Sequence, residues 1–162
     1  MNDIIHALSI GIIPLLLAIT LHEAAHGYVA KHFGDKTAWM LGRVTLNPLK
    51  HIDPIGTVLM PLALLALSGG AFAFGYAKPV PVNFGNLRNP KRDMIWVAGA
   101  GPASNLVQAL LWGVAFLLLT KLGLGGAMGE FFTGMCKAGI WLNVILFVFN
   151  LLPLPPLDGG RI

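Results

Sequence analysis

The chain has 162 residues, of which 56% are hydrophobic and 11% charged, whereas a soluble domain is nearer about 45–50% apolar and about 25% charged. So few charges cannot coat a soluble domain, and the long apolar runs exclude disorder. The net charge of +4 comes without a basic tract or aromatic–basic interleaving, which argues against nucleic acid, and the single cysteine, Cys136, excludes a disulfide framework. With a mean hydropathy of +0.73, the composition is that of a polytopic membrane protein.

Four apolar stretches follow in order: Ile4 to Val29, Ile55 to Phe74, Met94 to Leu119, and Gly139 to Leu152. A helix needs about 20 mainly apolar residues to cross a bilayer. The first and third satisfy this, and the fourth does so only if it starts near Phe131. The second is long enough but is interrupted by Pro54, Pro61 and Gly69-Gly70. The N-terminus, Met1-Asn2-Asp3, lacks the basic start of a secretory signal peptide, so no cleavage is expected. Between the second and third stretches, Lys78-Pro79-Val80-Pro81-Val82-Asn83 carries proline at alternate positions. Such a strip cannot be helical and is expected to be extended, strand-like or polyproline.

The first stretch contains His22-Glu23-Ala24-Ala25-His26. Histidines at i and i+4 share a helical face, so both imidazoles reach one ion, and the adjacent glutamate can act as general base. This composition would produce the pattern by chance roughly 0.002 times, so metal binding outweighs two merely packed histidines. Ionisable groups inside a membrane span are, besides, functional by default. A catalytic zinc takes three protein ligands. Asp158 is the only carboxylate in or beside the fourth stretch, and three prolines before it break the helix and let it turn inward. His51, Asp53 and Asp93 are rivals, each in a polar loop where solvent-facing polarity is the simpler reading.

Several motifs in order resemble the site-2 protease family of intramembrane zinc metalloproteases. Besides the histidine motif they are Gly42-Arg43-Val44-Thr45-Leu46-Asn47-Pro48, the Lys78 to Asn83 strip, Gly101-Pro102-Ala103-Ser104-Asn105, and the run from Asn150 to Gly160. The resemblance implies one Zn2+ held by His22, His26 and Asp158, with Glu23 as general base. It implies that Asn105 positions substrate or stabilises the oxyanion, and that the strip Pro79, Val80, Pro81, Val82 and Asn83 pairs with an unwound substrate. Asn150 is a second amide available for either task, and interhelical hydrogen bonding is the alternative for both asparagines. The chain ends four residues after Asp158, where members of that family continue with further helix, so residues 1–162 are expected to be a single membrane-embedded protease core truncated at its C-terminus.

Topology provides an independent check. If all four stretches crossed fully, Asp158 would lie most of a bilayer, about 30 Å, from His22. A re-entrant second stretch removes the conflict. It also gathers Lys31, Lys36, Arg43, Lys50, Lys78, Arg88, Lys91, Arg92 and Arg161 on the histidine side, leaving Lys121 and Lys137 opposite. Because cytoplasmic loops carry the Lys/Arg excess, the site is expected toward the cytoplasm and the N-terminus outside. The expected fold is therefore an all-α membrane protein with three transmembrane helices, a re-entrant segment and a short extended or β element, in the cell membrane of a prokaryote. Its partners would be the lipid bilayer and a transmembrane protein substrate.

Two rival functions are weighed. A metal transporter would need ligands along a path and no Glu23, and an inactive helix-binding homologue would not need an intact base. Other residues are given structural roles: His6 is too far along the helix to be a ligand, and His32 and His51 are solvated in basic loops. Cys136 is a small buried or interfacial residue, Trp96, Trp112 and Trp141 are packing or interface anchors, and Gly99, Gly101 and Ala103 allow close helix approach.

Overall fold

The computed structural model describes residues 2–69, 76–123 and 125–162. Three long helices dominate: α1 (Asn2–His32), then, beyond two short helices, α4 (Pro90–Lys121) and α5 (Gly126–Asn150). Each is apolar, and at about 1.5 Å per residue each is long enough to cross a bilayer. The outward faces of α4 and α5 carry Leu110, Leu111, Leu117, Leu118, Val148 and Phe149, all exposed, as lipid-facing helices require. The chain is a largely helical integral membrane protein.

α5 differs from its sequence expectation. It begins at Gly126, several residues before Phe131, so Lys137 lies within the helix and not before it. Its ammonium sits 5.7 Å from the Phe116 ring centroid, on an exposed side chain able to snorkel toward the interface.

Helix direction follows from side-chain contacts. α4 runs antiparallel to α1, since His26 bonds Val97 whereas Asn105 bonds Ala18. α5 runs back again, with Gly134 beside Ile10 and Asn143 bonded to Asn105. The interior is small and polar, including Ala18, Thr20, Ala109, Asn105, Gln108 and Asn143. Lipid provides no hydrophobic drive between helices, so close packing and interhelical hydrogen bonds hold such a bundle.

The excursion from α1 to α4 begins and ends at the same end of the bundle, because the Arg88 N–H donates to the Phe33 carbonyl at 3.0 Å. It opens with α2 (Thr37–Met40). The second apolar stretch is a π-helical turn, Pro54–Leu59, leading into α3 (Met60–Leu67). Residues 70–75, where the stretch was expected to end at Phe74, lie outside the described residues. At Tyr76 to Lys78 the chain is beside the start of this segment: Tyr76 N–H bonds Gly56 O at 3.0 Å and Lys78 N–H bonds His51 O at 2.9 Å.

No strand occurs among the described residues, so the β element anticipated at Lys78 to Asn83 is not seen. Pro79 and Pro81 have no N–H to give to a ladder, and neighbouring donors go elsewhere. Val80 N–H donates to Glu23 Oε2 and Asn83 N–H to Asp35 Oδ2, both at 2.7 Å. Arg43 Nη2 donates to the Lys78 carbonyl at 2.9 Å. A small core of Ala30, Leu87 and Val97, with Val82, Phe84 and Met94 against it, seals this loop onto α1 and α4.

Asp35 is fully buried where α1 meets the strip. Burial alone would raise its pKa, but hydrogen bonds from the Thr37 hydroxyl and N–H, the Asn83 N–H and the Asn86 amide outweigh it and hold the carboxyl below its ordinary value. A depressed carboxyl stabilises the fold above the unfolded pKa of about 3.9, and that contribution disappears as pH falls through the lower folded value. Hydrogen bonds to a charged group contribute about 1.5–3 kcal/mol each. Asp35→Asn at neutral pH should therefore speed amide exchange at Val80 to Leu87 by about tenfold or more while helix content stays unchanged, read by hydrogen-exchange mass spectrometry.

Candidate metal centre

His22 and His26 project from one face of α1 into the bundle, both buried. Asp158 reaches them because α5 stops at Asn150 and the proline-rich turn after it doubles back. Leu154 N–H bonds Leu152 O and Leu157 N–H bonds Leu154 O, and the chain then enters a 3-10 turn, Asp158–Arg161. The turn packs so tightly on the end of α5 that a Cβ at Gly159 would lie 2.4 Å from the Leu151 and Leu152 carbonyl oxygens. This close return requires the glycine after Asp158.

Three atoms converge. His22 Nε2 and His26 Nε2 are 3.1 Å apart, and Asp158 Oδ2 lies 3.1 Å from the first and 3.3 Å from the second. The protons on the imidazoles are fixed by their far sides. Val97 O can only accept, so His26 Nδ1 carries the hydrogen of their 2.7 Å bond. Ala18 O can only accept as well, so the Asn105 amide presents Nδ2 to it and Oδ1 to His22, whose Nδ1 is thus the donor at 2.5 Å. When the rings are neutral, both Nε2 atoms are then bare lone pairs facing a carboxylate oxygen, and Asp158 Oδ2 is buried without a hydrogen-bond donor.

Three acceptors in contact repel one another unless a cation lies among them. Their spacing suits one: a tetrahedral ion with bonds of about 2.0–2.1 Å sets its ligands about 3.3 Å apart. Histidines that donate their second nitrogen to an amide or backbone carbonyl are the usual metal-binding arrangement. Among the described residues, His22, His26 and Asp158 are the one group of three His, Cys, Asp or Glu side chains placed to share an ion.

The rivals for the third position are engaged elsewhere. Asp53 caps the π-helical turn, accepting from Ile55 and Gly56 N–H. Asp93, in the first turn of α4, accepts from the Asn89 N–H. His51 corrects its sequence reading: it is 2% exposed, not solvated, with Nε2 on the Thr45 carbonyl. A loop histidine gave no hint that this loop folds onto α1. His6 and His32 are exposed, and Cys136 is buried.

Glu23, part-buried beside the triad, accepts the Val80 N–H, which sets the strip against it. Asn105 stands behind His22 with its amide shared among His22, Ala18 and Asn143, the interhelical option left open by the sequence. Asn150 turns back onto its own helix, donating to Leu146 O at 3.0 Å. Two interior polar residues escaped the sequence reading. Asn143 is fully buried, and Gln108 is buried with neither amide atom partnered. A polar side chain inside an apolar run was the available signal for both.

The profile of Peptidase family M50 matches residues 10–162. The chain belongs to this family, the site-2 proteases its motifs resemble. Among curated relatives of this M50 chain, "Putative zinc metalloprotease YwhC" of Bacillus subtilis is 45% identical over 93% of the chain and 66% of its own length. "Putative zinc metalloprotease Rip2" of Mycolicibacterium smegmatis is 37% identical over 89% of the chain and 52% of its own length. The chain thus spans less than two thirds of these relatives. No solved structure matches it significantly.

In this M50 chain the family-like Gly101 has a direct steric reason. A Cβ there would lie 2.3 Å from His26 Nε2 and 2.6 Å from His22 Nε2, whereas one at Gly99 meets nothing within 4 Å. Gly101→Ala should therefore strip bound divalent metal from the purified protein while Gly99→Ala retains it, as elemental analysis would show.

Proposed function

We propose that this chain is the core of an intramembrane zinc metalloprotease, hydrolysing a peptide bond within or near a transmembrane segment of another membrane protein. One observation carries the proposal: three mutually facing lone pairs, spaced for a tetrahedral ion, lie beside a glutamate inside a bundle of membrane-length helices. The names of the M50 relatives add zinc as the metal. His22, His26 and Asp158 would hold one Zn2+. When bound, the ion supplies Lewis acidity, polarising the scissile carbonyl and making water more acidic.

The remaining work belongs to the chain. Glu23 takes a proton from the attacking water and returns it to the leaving amine. Oε2 is held by Val80 N–H, which aims the carboxylate and leaves Oε1 for the proton. A helical substrate shields its peptide bonds, so it must unwind locally. The strip Pro79 to Asn83 offers an extended partner for the freed backbone by strand addition. Because Val80 touches the base, a segment lying along the strip runs past the site of attack. Asn105 and Asn150 reach substrate only by giving up their present hydrogen bonds.

The second apolar stretch is read as re-entrant. Its π-helical turn and α3 are together shorter than a bilayer crossing, and Tyr76 to Lys78 lie at its entry. Arg161 lies 5.3 Å from the Phe84 ring centroid, at the end of the bundle that holds Phe33 and Arg88. The basic excess at this end supports a site turned toward the cytoplasm of a bacterial cell.

Glu23→Gln should keep about one zinc per chain and abolish cleavage of a reconstituted single-span substrate, whereas Asp158→Ala should lose the zinc itself. Proteolysis surviving Glu23→Gln would remove the glutamate from the reaction. For sidedness, Lys91→Cys in the first turn of α4 should react with a membrane-impermeant maleimide only in inverted vesicles. Labelling in intact cells would reverse the orientation.

A further inference from the structure

Asn143 touches neither the three converging ligand atoms nor Glu23, yet it ends a continuous chain of hydrogen bonds that begins at one of them. His22 Nδ1–H donates to Asn105 Oδ1 at 2.5 Å, Asn105 Nδ2 donates to Asn143 Oδ1 at 2.8 Å, and Asn143 Nδ2 donates to the Gly139 carbonyl at 2.9 Å. Each link has one possible direction. Gly139 O can only accept, so Asn143 faces it with Nδ2 and must present oxygen to Asn105. Asn105 must then offer its N–H on that side and its oxygen to His22. The far end of the chain thereby sets which way the Asn105 amide stands.

We propose that Asn143 is a positioning residue of the metal site: from α5 it fixes the Asn105 amide, and through it the His22 tautomer whose Nε2 lone pair faces the ion. The proposal rests on the reading of His22 as a zinc ligand. Ala18 O alone would hold Asn105 less firmly, at 3.3 Å, against 2.8 Å for Asn143. Both asparagines are 0% exposed, so water cannot replace a lost partner cheaply. An Asn105 amide turned over would point N–H at His22 Nδ1 and favour the opposite tautomer, which places a hydrogen on Nε2 where the metal binds.

Groups that hold a metal ligand in this way typically contribute 10–100-fold in metal affinity. The measurement is the zinc dissociation constant of the detergent-purified full chain, by competition with a chromophoric chelator. Asn143→Leu, similar in size, should weaken zinc by about tenfold or more. Cleavage lost by this variant should return at saturating zinc with KM unchanged, because Asn143 would not touch substrate. Asn143→Asp keeps an oxygen acceptor for Asn105 and should bind zinc within about threefold of the parent chain.

Since Asn143 and Asn105 act in series, Asn105→Leu with Asn143→Leu should be no weaker than Asn105→Leu alone. Parental zinc affinity in Asn143→Leu, or additive losses in the double variant, would overturn the proposal while leaving the zinc reading intact. If Asn143→Leu does not fold, a loss of zinc affinity in folded Asn143→Asp beyond tenfold overturns it equally. Failure of the parent chain to bind zinc would overturn the metal reading and this proposal together.

Discussion

Two imidazoles from α1 and the Asp158 carboxylate converge on one point inside a bundle of membrane-length helices, and much of the architecture follows from the demand of that convergence. His22 and His26 lie well inside α1, so Asp158 has to arrive at the same depth. It does so only because α4 runs against α1, α5 returns alongside it, and the turn after Asn150 folds back. That parity requires the excursion between α1 and α4 to start and finish at one end, which the Phe33–Arg88 hydrogen bond shows.

The same demand shapes the interior. A water-soluble bundle hides its largest apolar side chains, whereas this one turns them outward and fills its centre with glycine, alanine and amides. Gly101 lets α4 approach the two Nε2 atoms more closely than any side chain would allow. Asn105 and Asn143 tie α1, α4 and α5 together. In lipid, where apolar surfaces gain little by meeting one another, these bonds hold the helices together and run up to His22 Nδ1. Helix packing and site geometry are one problem here.

Much of this was legible in the residue order because it depended on periodicity and on side. The i and i+4 histidines needed only a helix, and the approach of Asp158 needed only an antiparallel α4 followed by a returning α5. What was not legible depended on contacts distant in sequence. His51 reads as a loop residue because nothing nearby says that its loop folds onto α1. Asp53 and Asp93 read as possible ligands, although Asp53 precedes the proline that opens a helical turn and caps it, and Asp93 lies in the first turn of α4 and holds the Asn89 N–H. Asn143 is one amide in an apolar run, and its value lies in a partner on another helix. The start of α5 is hidden in the residue order because glycines and Lys137 weaken the apolar signal there, although Gly129 and Gly139 are buried against the bundle and Lys137 is exposed.

The alternate prolines of the strip show the same coupling between local chemistry and site. In an ordinary edge strand, N–H groups repeat along the edge and would pair with whatever backbone approaches. Here Pro79 and Pro81 carry no N–H, the Lys78 N–H is taken by the His51 carbonyl, and the Val80 N–H goes to Glu23. The carbonyls of Lys78 and Pro79 are turned to Arg43, and Asn83 is tied to Asp35. A strip fixed at both ends and at its middle cannot slide along α1. Its contact with the glutamate is therefore held by several hydrogen bonds along the strip, the preorganisation that a general base at Glu23 would need.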